Sequence, residues 1–338
     1  MFMTHSPQFV GAARAIRAVG IGLVLAIIVL TSIATAAQAQ VWPNKPIKLI
    51  VTFGPGGGSD AFARPLIAKL STQLGQQVVI DNRGGAGGTI GADVAAKSVP
   101  DGYTFMVGTV HHTVAVSVYK SLPYDLERDL VPITGLAYVP DVLLVNDKIP
   151  AQNVKELIAY AKANVGKLNY GSSGKGTTRH LAGELFNKMN GISLTHISYK
   201  GSGPAYTGLL SGEIQMIFEG LGGSASHIRG GRVRALAVTS PKRSPSFPEI
   251  PTMAEAGVPG FESMSWYGLF APAGTPPEIL RRMHTEVNKA LATEDLKAIW
   301  FRQGAAAGGE PSDQFARFIK AEIEKWGKVA RQARITID

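Results

Sequence analysis

The chain of 338 residues contains no cysteine. That absence excludes disulfides, thiolate metal ligands and cysteine nucleophiles together, and is compatible with any compartment, an oxidising one included. Other signatures are missing too. No H-E-x-x-H occurs, and no G-x-S-x-G elbow surrounds Ser172 or Ser173. The histidines (His5, His111, His112, His180, His196, His227 and His284) are too dispersed to suggest a metal set, so neither metal nor cofactor is expected. Both nucleotide fingerprints fail on spacing. Gly54, Gly56 and Gly58 begin a G-x-G pattern, but Ser59 and Ala61 stand where the third glycine belongs; Gly171 and Gly176 have P-loop spacing, but Thr177 takes the lysine's place. No basic cluster is interleaved with aromatics, so no nucleic-acid partner is expected. After residue 30 no stretch is long and apolar enough to cross a bilayer.

What is present is a globular composition, 45% hydrophobic and 17% charged, at a length suited to about two domains. The 39 glycines and 20 prolines follow no collagen-like period and mark turns. Residues 1–17 carry Arg14 and Arg17 and no acid; residues 18–30, AVGIGLVLAIIVL, are uninterruptedly apolar; TSIATAAQAQ follows, with Ala37-Gln38-Ala39 as an A-x-A site. These are the parts of a secretory signal peptide, residues 1–39, cleaved after Ala39. The remainder carries 32 basic and 25 acidic residues, +7, scattered rather than clustered; that supports at most mild steering of anions.

Beyond the leader, strand and helix patterns alternate. IKLIVTF (47–53), QQVVIDN (76–82) and YTFMVGT (103–109) read as strands, with a helix at about 60–74 that Pro65 should kink and a second helix after GGAGG. Such alternation predicts an α/β, doubly wound layer with a parallel sheet. A second α/β unit follows, from the helix NVKELIAYAKAN at 153 to the strand ending at 240. Two extended passages, near 136–142 and 264–271, read as crossings between two lobes: lobe I from 41–138 plus 268–338, lobe II from 139–267.

Ligands of open α/β sheets sit outside the carboxyl ends of the strands. The turns at that edge are GPGGGSD (54–60), GTVHHT (108–113), GSSGKGTTRH (171–180), YKGSG (199–203) and FEGLGGS (218–224). All are rich in hydrogen-bond donors and poor in strong bases. A glycine turn that opens a helix leaves amides free for an anion, and several at one edge favour a ligand over plain turns. His111 and His112 follow a strand, which brings one of them towards the cleft. Lys200 is either a solvated lysine or a counter-charge for an anion. Asp60 and Glu219 are either helix caps or selectors that accept from a ligand amine or hydroxyl; Asp60 is the better cap.

WPNKPIKLIVTFGPGGGSD, NRGGAGGTIGADVAAKSVPDGYT, LPYDLERDLVPI, HLAGELF, YKGSGPA, HIRGGRVRALAVTS, PEIPTMAEAG and SWYGLFAPAGTP, in this order, resemble the Bug family, periplasmic solute receptors of tripartite tricarboxylate transporters. The resemblance covers essentially the whole chain after the leader. It implies a type II periplasmic-binding-protein fold, two α/β lobes around a cleft, and a non-catalytic receptor for a small carboxylate: a dicarboxylate, tricarboxylate, amino acid or aromatic acid. It implies membrane transporter subunits as partners and a monomeric receptor. By position it assigns the ligand turns to Pro55, Gly56, Gly57, Gly58, Ser59 and Asp60; to Thr109, His111 and His112; to Ser172, Ser173, Gly174, Thr177 and His180; and to Tyr199, Lys200, Gly201 and Ser202. Glu219 joins the candidates where the family often has M-F-D-N and this chain has Met216-Ile217-Phe218-Glu219-Gly220. Two other readings share the binding chemistry: a sensor that reports ligand occupancy to a membrane kinase, and a periplasmic enzyme with His112 or His180 as base.

Overall fold

β1 (Ile47–Val51) buries every residue but Lys48. It lies between β2 (Val78–Asn82) and β3 (Thr104–Thr109), parallel to both, as its continuous apolar run predicts for a strand covered on both faces. α1 (Gly58–Leu74) links β1 to β2 and buries Phe62, Leu66, Leu70 and Leu74. It starts two residues earlier than the pattern suggested and continues through Pro65 rather than ending there. α2 (Thr89–Ala96) leads back to β3, and α3 (Val110–Val118) follows β3 directly. This computed structural model describes residues 42–56, 58–199 and 201–337. The expected signal segment and the expected ligand residues Gly57 and Lys200 lie outside the described residues.

β4 (Leu130–Val145) joins the two halves of the sheet. Its residues Leu130–Pro140 run antiparallel to β9 (Met264–Pro272). From Asp141 onward it changes neighbours and runs antiparallel to β7 (Met216–Gly220) and β8 (Arg234–Val238). β5 (Asn169–Ser172) lies parallel to β6 (Thr195–Ser198) on one side and to β7 on the other. α4 (Val154–Ala163), α5 (Thr178–Asn190), α6 (Ser202–Ser211) and α7 (Leu221–Arg229) cover this second half. The chain then returns through α8 (Pro277–Leu291), α9 (Glu294–Arg302), β10 (Ala306–Ala307) and α10 (Ser312–Gln332), with β10 pairing back onto β4. The sheet is therefore mixed rather than wholly parallel. β4 alone pairs with strands of both halves, and β4 and β9 both stand antiparallel to the strands they pair with.

The core follows from these pairings. Successive β4 residues point to opposite faces. Leu143 and Val145 join Tyr170, Phe186 and Phe218 on one face; Val142 and Leu144 join Ile217, Leu221 and Val238 on the other. A third cluster, around Met106, Trp266, Phe270, Phe315 and Trp326, lies under α10. Its two tryptophans both donate their indole N–H to Glu322 Oε2, at 3.1 and 2.9 Å. α5 belongs to two cores: Leu181 packs with the cluster under α10, whereas Ala182 and Phe186 pack with the β5–β7 side. The start of α5 is thereby held from both directions. No described helix is long and apolar enough to cross a membrane.

Candidate functional site

Two cavities of about 300 and about 440 Å³ share Gly58, Arg179, Ser202, Ser265 and Tyr267 in their walls. The first turns of five helices line them: Gly58 and Ser59 of α1, Val110 and His111 of α3, Arg179 of α5, Ser202 of α6, and Gly222 and Gly223 of α7. Each such turn presents unsatisfied backbone N–H groups and the positive end of a helix dipole. Converging on one hollow, they favour an anion.

The local sequence explains how the turns hold their shape. Asp60 is buried, and its carboxylate accepts from the Gly56 amide (2.9 Å), from Arg64 Nε (2.6 Å) and from Asn82 Nδ2 (3.2 Å). Burial pushes its pKa up, but the bonds from Arg64, Gly56 and Asn82 outweigh it and hold the group below the usual carboxylate range. The side chain thus braces the glycine turn instead of facing the cleft. Thr109 caps α3, its hydroxyl accepting from the His111 amide (3.2 Å), while the Thr109 amide donates to His112 Nδ1 (2.9 Å). His112 is buried in that bond and its pKa is lowered, chiefly by burial. His111 instead faces the smaller cavity, edge-on to Phe53 at 5.3 Å. Burial, then the charges of Arg179 and His112, lower its pKa to about 3, so it is a neutral imidazole.

Arg179, absent from the candidates read from sequence, is the only cation among the described residues of the smaller cavity's wall. Its Nε lies 3.0 Å from Glu219 Oε2 and its terminal nitrogen 3.6 Å from Asp141 Oδ1. Desolvation works against its charge, but the two carboxylates raise its pKa well above the ordinary value. Asp141, wholly buried where β4 changes partners, is pushed up to about 6 by burial; Arg179 opposes the shift and Glu219 adds to it. A cation in the first turn of a helix opposes the dipole. That anomaly was the readable signal that acids must face it.

Among the residues expected from sequence, Gly58, Ser59, Thr109, His111, Ser202 and Glu219 meet at these cavities. Pro55, Gly56, Asp60 and His112 stand behind them in the same turns. The 171–180 turn does not contribute its expected members to the walls. Ser172 Oγ donates to the Gly174 carbonyl (2.9 Å) and is 2.7 Å from His196 Nε2. Thr177 Oγ1 donates to the same carbonyl (2.7 Å), and the Gly176 amide donates to His180 Nδ1 (3.0 Å). The rings of His180 and His196 stack with centroids 3.7 Å apart. Ser173 accepts through its carbonyl from the Gly201 amide (3.2 Å), which ties two turns together. Tyr199 packs against Gly171 and Gly208 beneath α6. Besides Arg179, sequence reasoning missed Ser265, Trp266 and Tyr267, which lie in the β9 passage read only as a crossing.

Comparison with known proteins gives the same picture. The model of the tripartite tricarboxylate transporter family receptor matches residues 62–335. The protein BugT of Bordetella pertussis is 40% identical over 302 residues, 89% of this chain and 93% of that one. The structure of the R. palustris protein Rpa4515 with adipate superposes with a TM-score of 0.77 at 40% identity, covering 87% of this chain and 99% of that chain. MatC from Rhodopseudomonas palustris with bound malate superposes with a TM-score of 0.72 at 31% identity, covering 85% and 99%.

Proposed function

The chain belongs to the tripartite tricarboxylate transporter receptor family, and from that premise we propose how its cleft works: it captures a small carboxylate in the periplasm and delivers it, unchanged, to the membrane subunits of a transporter. The observation that carries the reading is the convergence of five helix N-terminal turns and Arg179 on one hollow. Each helix terminus contributes about 0.3–1 kcal/mol, and up to about 2 when partly buried. Micromolar binding needs about 8 kcal/mol, a sum within reach of five such ends with a guanidinium and closure around the acid. The adipate and malate held by the two R. palustris proteins support the ligand class.

In this reading lobe I comprises 41–138 plus 268–338 and lobe II 139–267, with β4 and β9 as the connections between them. The leader is removed after Ala39 and the receptor acts as a monomer. Catalysis has no support in the cleft. His111 is a neutral imidazole with a pKa of about 3, a poor general base. The pairing of Ser172 with His196 resembles a nucleophile and base, but Ser172 is buried in its own turn and His196 is lowered to about 4, mainly by burial.

The test is calorimetry and thermal shift on exported, ligand-stripped protein against a panel of small acids. Saturable binding of at least one acid is expected, with the acid recovered unaltered by NMR after incubation. Failure of every acid removes the receptor reading, and consumption of the acid removes its non-catalytic part. Intact mass beginning at Gln40 and a monomeric sedimentation profile check the remainder.

A further inference from the structure

β4 changes partners at Asp141: Pro140 pairs with Met264 of β9, and Asp141 with Gly220 of β7. Asp141 is 0% exposed and lines neither cavity. Arg179 of α5 links it to the cleft, lining both cavities with a terminal nitrogen 3.6 Å from Asp141 Oδ1. The same guanidinium serves Glu219 of β7, whose Oε2 lies 3.0 Å from Nε. Neither acid holds it firmly. Arg179 Nε has no aligned hydrogen bond, and Asp141 Oδ1 and Glu219 Oε1 have no hydrogen-bond partner among the described residues.

The other groups around Asp141 do not replace that counter-charge. Ser263 Oγ donates to Oδ2 at 3.1 Å, and Ser265 also favours the charged form. Thr239, just after β8, bonds the main-chain carbonyl of Asp141. Tyr206 of α6 and Tyr267 of β9 sense its charge but are themselves uncharged, their pKa values raised chiefly by burial. α7 starts after Gly220, opposite Asp141, and brings only the partial positive charge of a helix end. Arg302, in the larger cavity's wall, is exposed, so water screens it. His111 of α3 faces Arg179 as a neutral imidazole.

A buried carboxylate stays ionised only while a counter-charge or donors support it. A ligand carboxylate that meets Arg179 draws guanidinium N–H groups to itself and adds a third negative charge around that side chain. Glu219 lines the larger cavity and keeps the closer approach to Arg179. Asp141, sealed from both cavities, has no such recourse, and burial has already pushed it up to about 6 against the opposing charge of Arg179. Resting on the carboxylate-receptor reading, we infer that the receptor takes up a proton together with its acid: the ligand's carboxylate engages Arg179, and the Asp141 carboxylate accepts a proton from solvent. An O–H bond forms on Asp141, nothing is cleaved in the ligand, and the net charge of the cluster with its ligand stays that of the empty cluster. Acid binding therefore strengthens as pH falls from 8 towards 6.

The experiment is isothermal titration of ligand-stripped protein with acetate, benzoate, glutamate and glutarate, all ionised at pH 7, in phosphate and in Tris. The tightest binder, from these or the wider acid panel, is the probe. The two buffers differ in their heat of proton release, so the difference between them counts protons taken up. An uptake of about half a proton or more per ligand is expected at pH 7, with affinity falling severalfold, and at most about tenfold, from pH 7 to 8. Asp141→Asn should bind with a heat independent of buffer and an affinity flat over that range. In the wild-type protein the infrared difference spectrum should gain the C=O stretch of a protonated carboxyl, a readout that stands even where the variant folds poorly. Binding without proton uptake overturns the inference and leaves the receptor reading standing. Uptake without the carboxyl band, or uptake that persists in Asp141→Asn, assigns the proton to another group and overturns it as well. Failure of every acid removes the receptor reading and this inference with it.

Discussion

Gly58 and Tyr267 face each other in the cleft so closely that a methyl group on Gly58 would overlap the Tyr267 hydroxyl. The tyrosine ring cannot easily withdraw, because it stacks on Phe62 with centroids 4.6 Å apart. Gly58→Ala is therefore expected to push the ring into the cleft or lift the start of α1. Ligand affinity should fall about tenfold or more, with a stability loss of about 1–3 kcal/mol from overpacking. Tyr267→Phe in the same chain should restore part of the affinity, because it removes the overlapping oxygen. Gly56→Ala offers a contrast. It sits at φ 77° with open space around the added methyl, so its cost is backbone strain of about 1–2 kcal/mol. Calorimetry and urea unfolding of the variants separate the two mechanisms.

Asp60 braces the same turn from within. Asp60→Ala removes the acceptor for the Gly56 amide, Arg64 and Asn82 at once. A loss of about 1–3 kcal/mol is expected from donors left without a partner. Asp60→Asn should recover less than half of that, because one oxygen becomes a donor facing donors. Both should weaken ligand binding without the residue ever touching the ligand. Denaturant midpoints beside titration calorimetry measure this; an Asp60→Ala protein of unchanged midpoint would contradict it.

The histidines give the fold an acid limb. His111 and His180 are each lowered to about 3 and His196 to about 4, burial being the largest cause in each. The unfolded chain binds protons at these sites below about 6.5, whereas the folded chain does not. Their contribution to stability is thus present above that pH and is lost as pH falls through the window from about 6.5 to about 4. Asp141 works in the opposite sense. Its folded value of about 6 exceeds the ordinary 3.8, so it adds stability as pH falls through 6. His112 and His227 are lowered in the same sense as the other histidines, chiefly by burial, so the histidines outweigh Asp141, and the urea midpoint of ligand-free protein should drop between pH 7 and 4.5. His111→Asn should flatten the slope. A midpoint that rises towards pH 4.5 would refute the assignment.

The scaffold was legible because its signals are local. IKLIV and TFMVGT are continuous runs that only a doubly covered strand accommodates, and each is followed by a glycine-bearing or capped helix start. The site was legible where a turn meets the hollow through a first helical residue, as at Gly58 and Ser202. It was not legible in the 171–180 turn. The same Ser, Thr, His and Gly composition there closes on itself, with His196 supplied from β6. Whether polar groups in a turn face a ligand or each other depends on such distant partners, which composition does not reveal. Arg179 was hidden for a related reason, since its two acids lie 38 and 40 residues away along the chain.

That separation makes Arg179 the most informative position to change. Arg179→Met leaves Asp141 and Glu219 buried with no counter-ion, and breaking a buried pair in this way costs about 3–5 kcal/mol. If the cost is uncompensated charge, adding Asp141→Asn and Glu219→Gln should return most of the stability, because the triple variant buries only neutral groups. Ligand binding should not return with it, since the guanidinium that meets the carboxylate is still gone. Chemical denaturation and calorimetry on the single and triple variants therefore separate two roles of one side chain. A triple variant that regains both stability and affinity would show that the helix termini hold the acid unaided and that Arg179 serves the fold alone; one that regains neither would place its worth in packing between α5 and the strands rather than in charge.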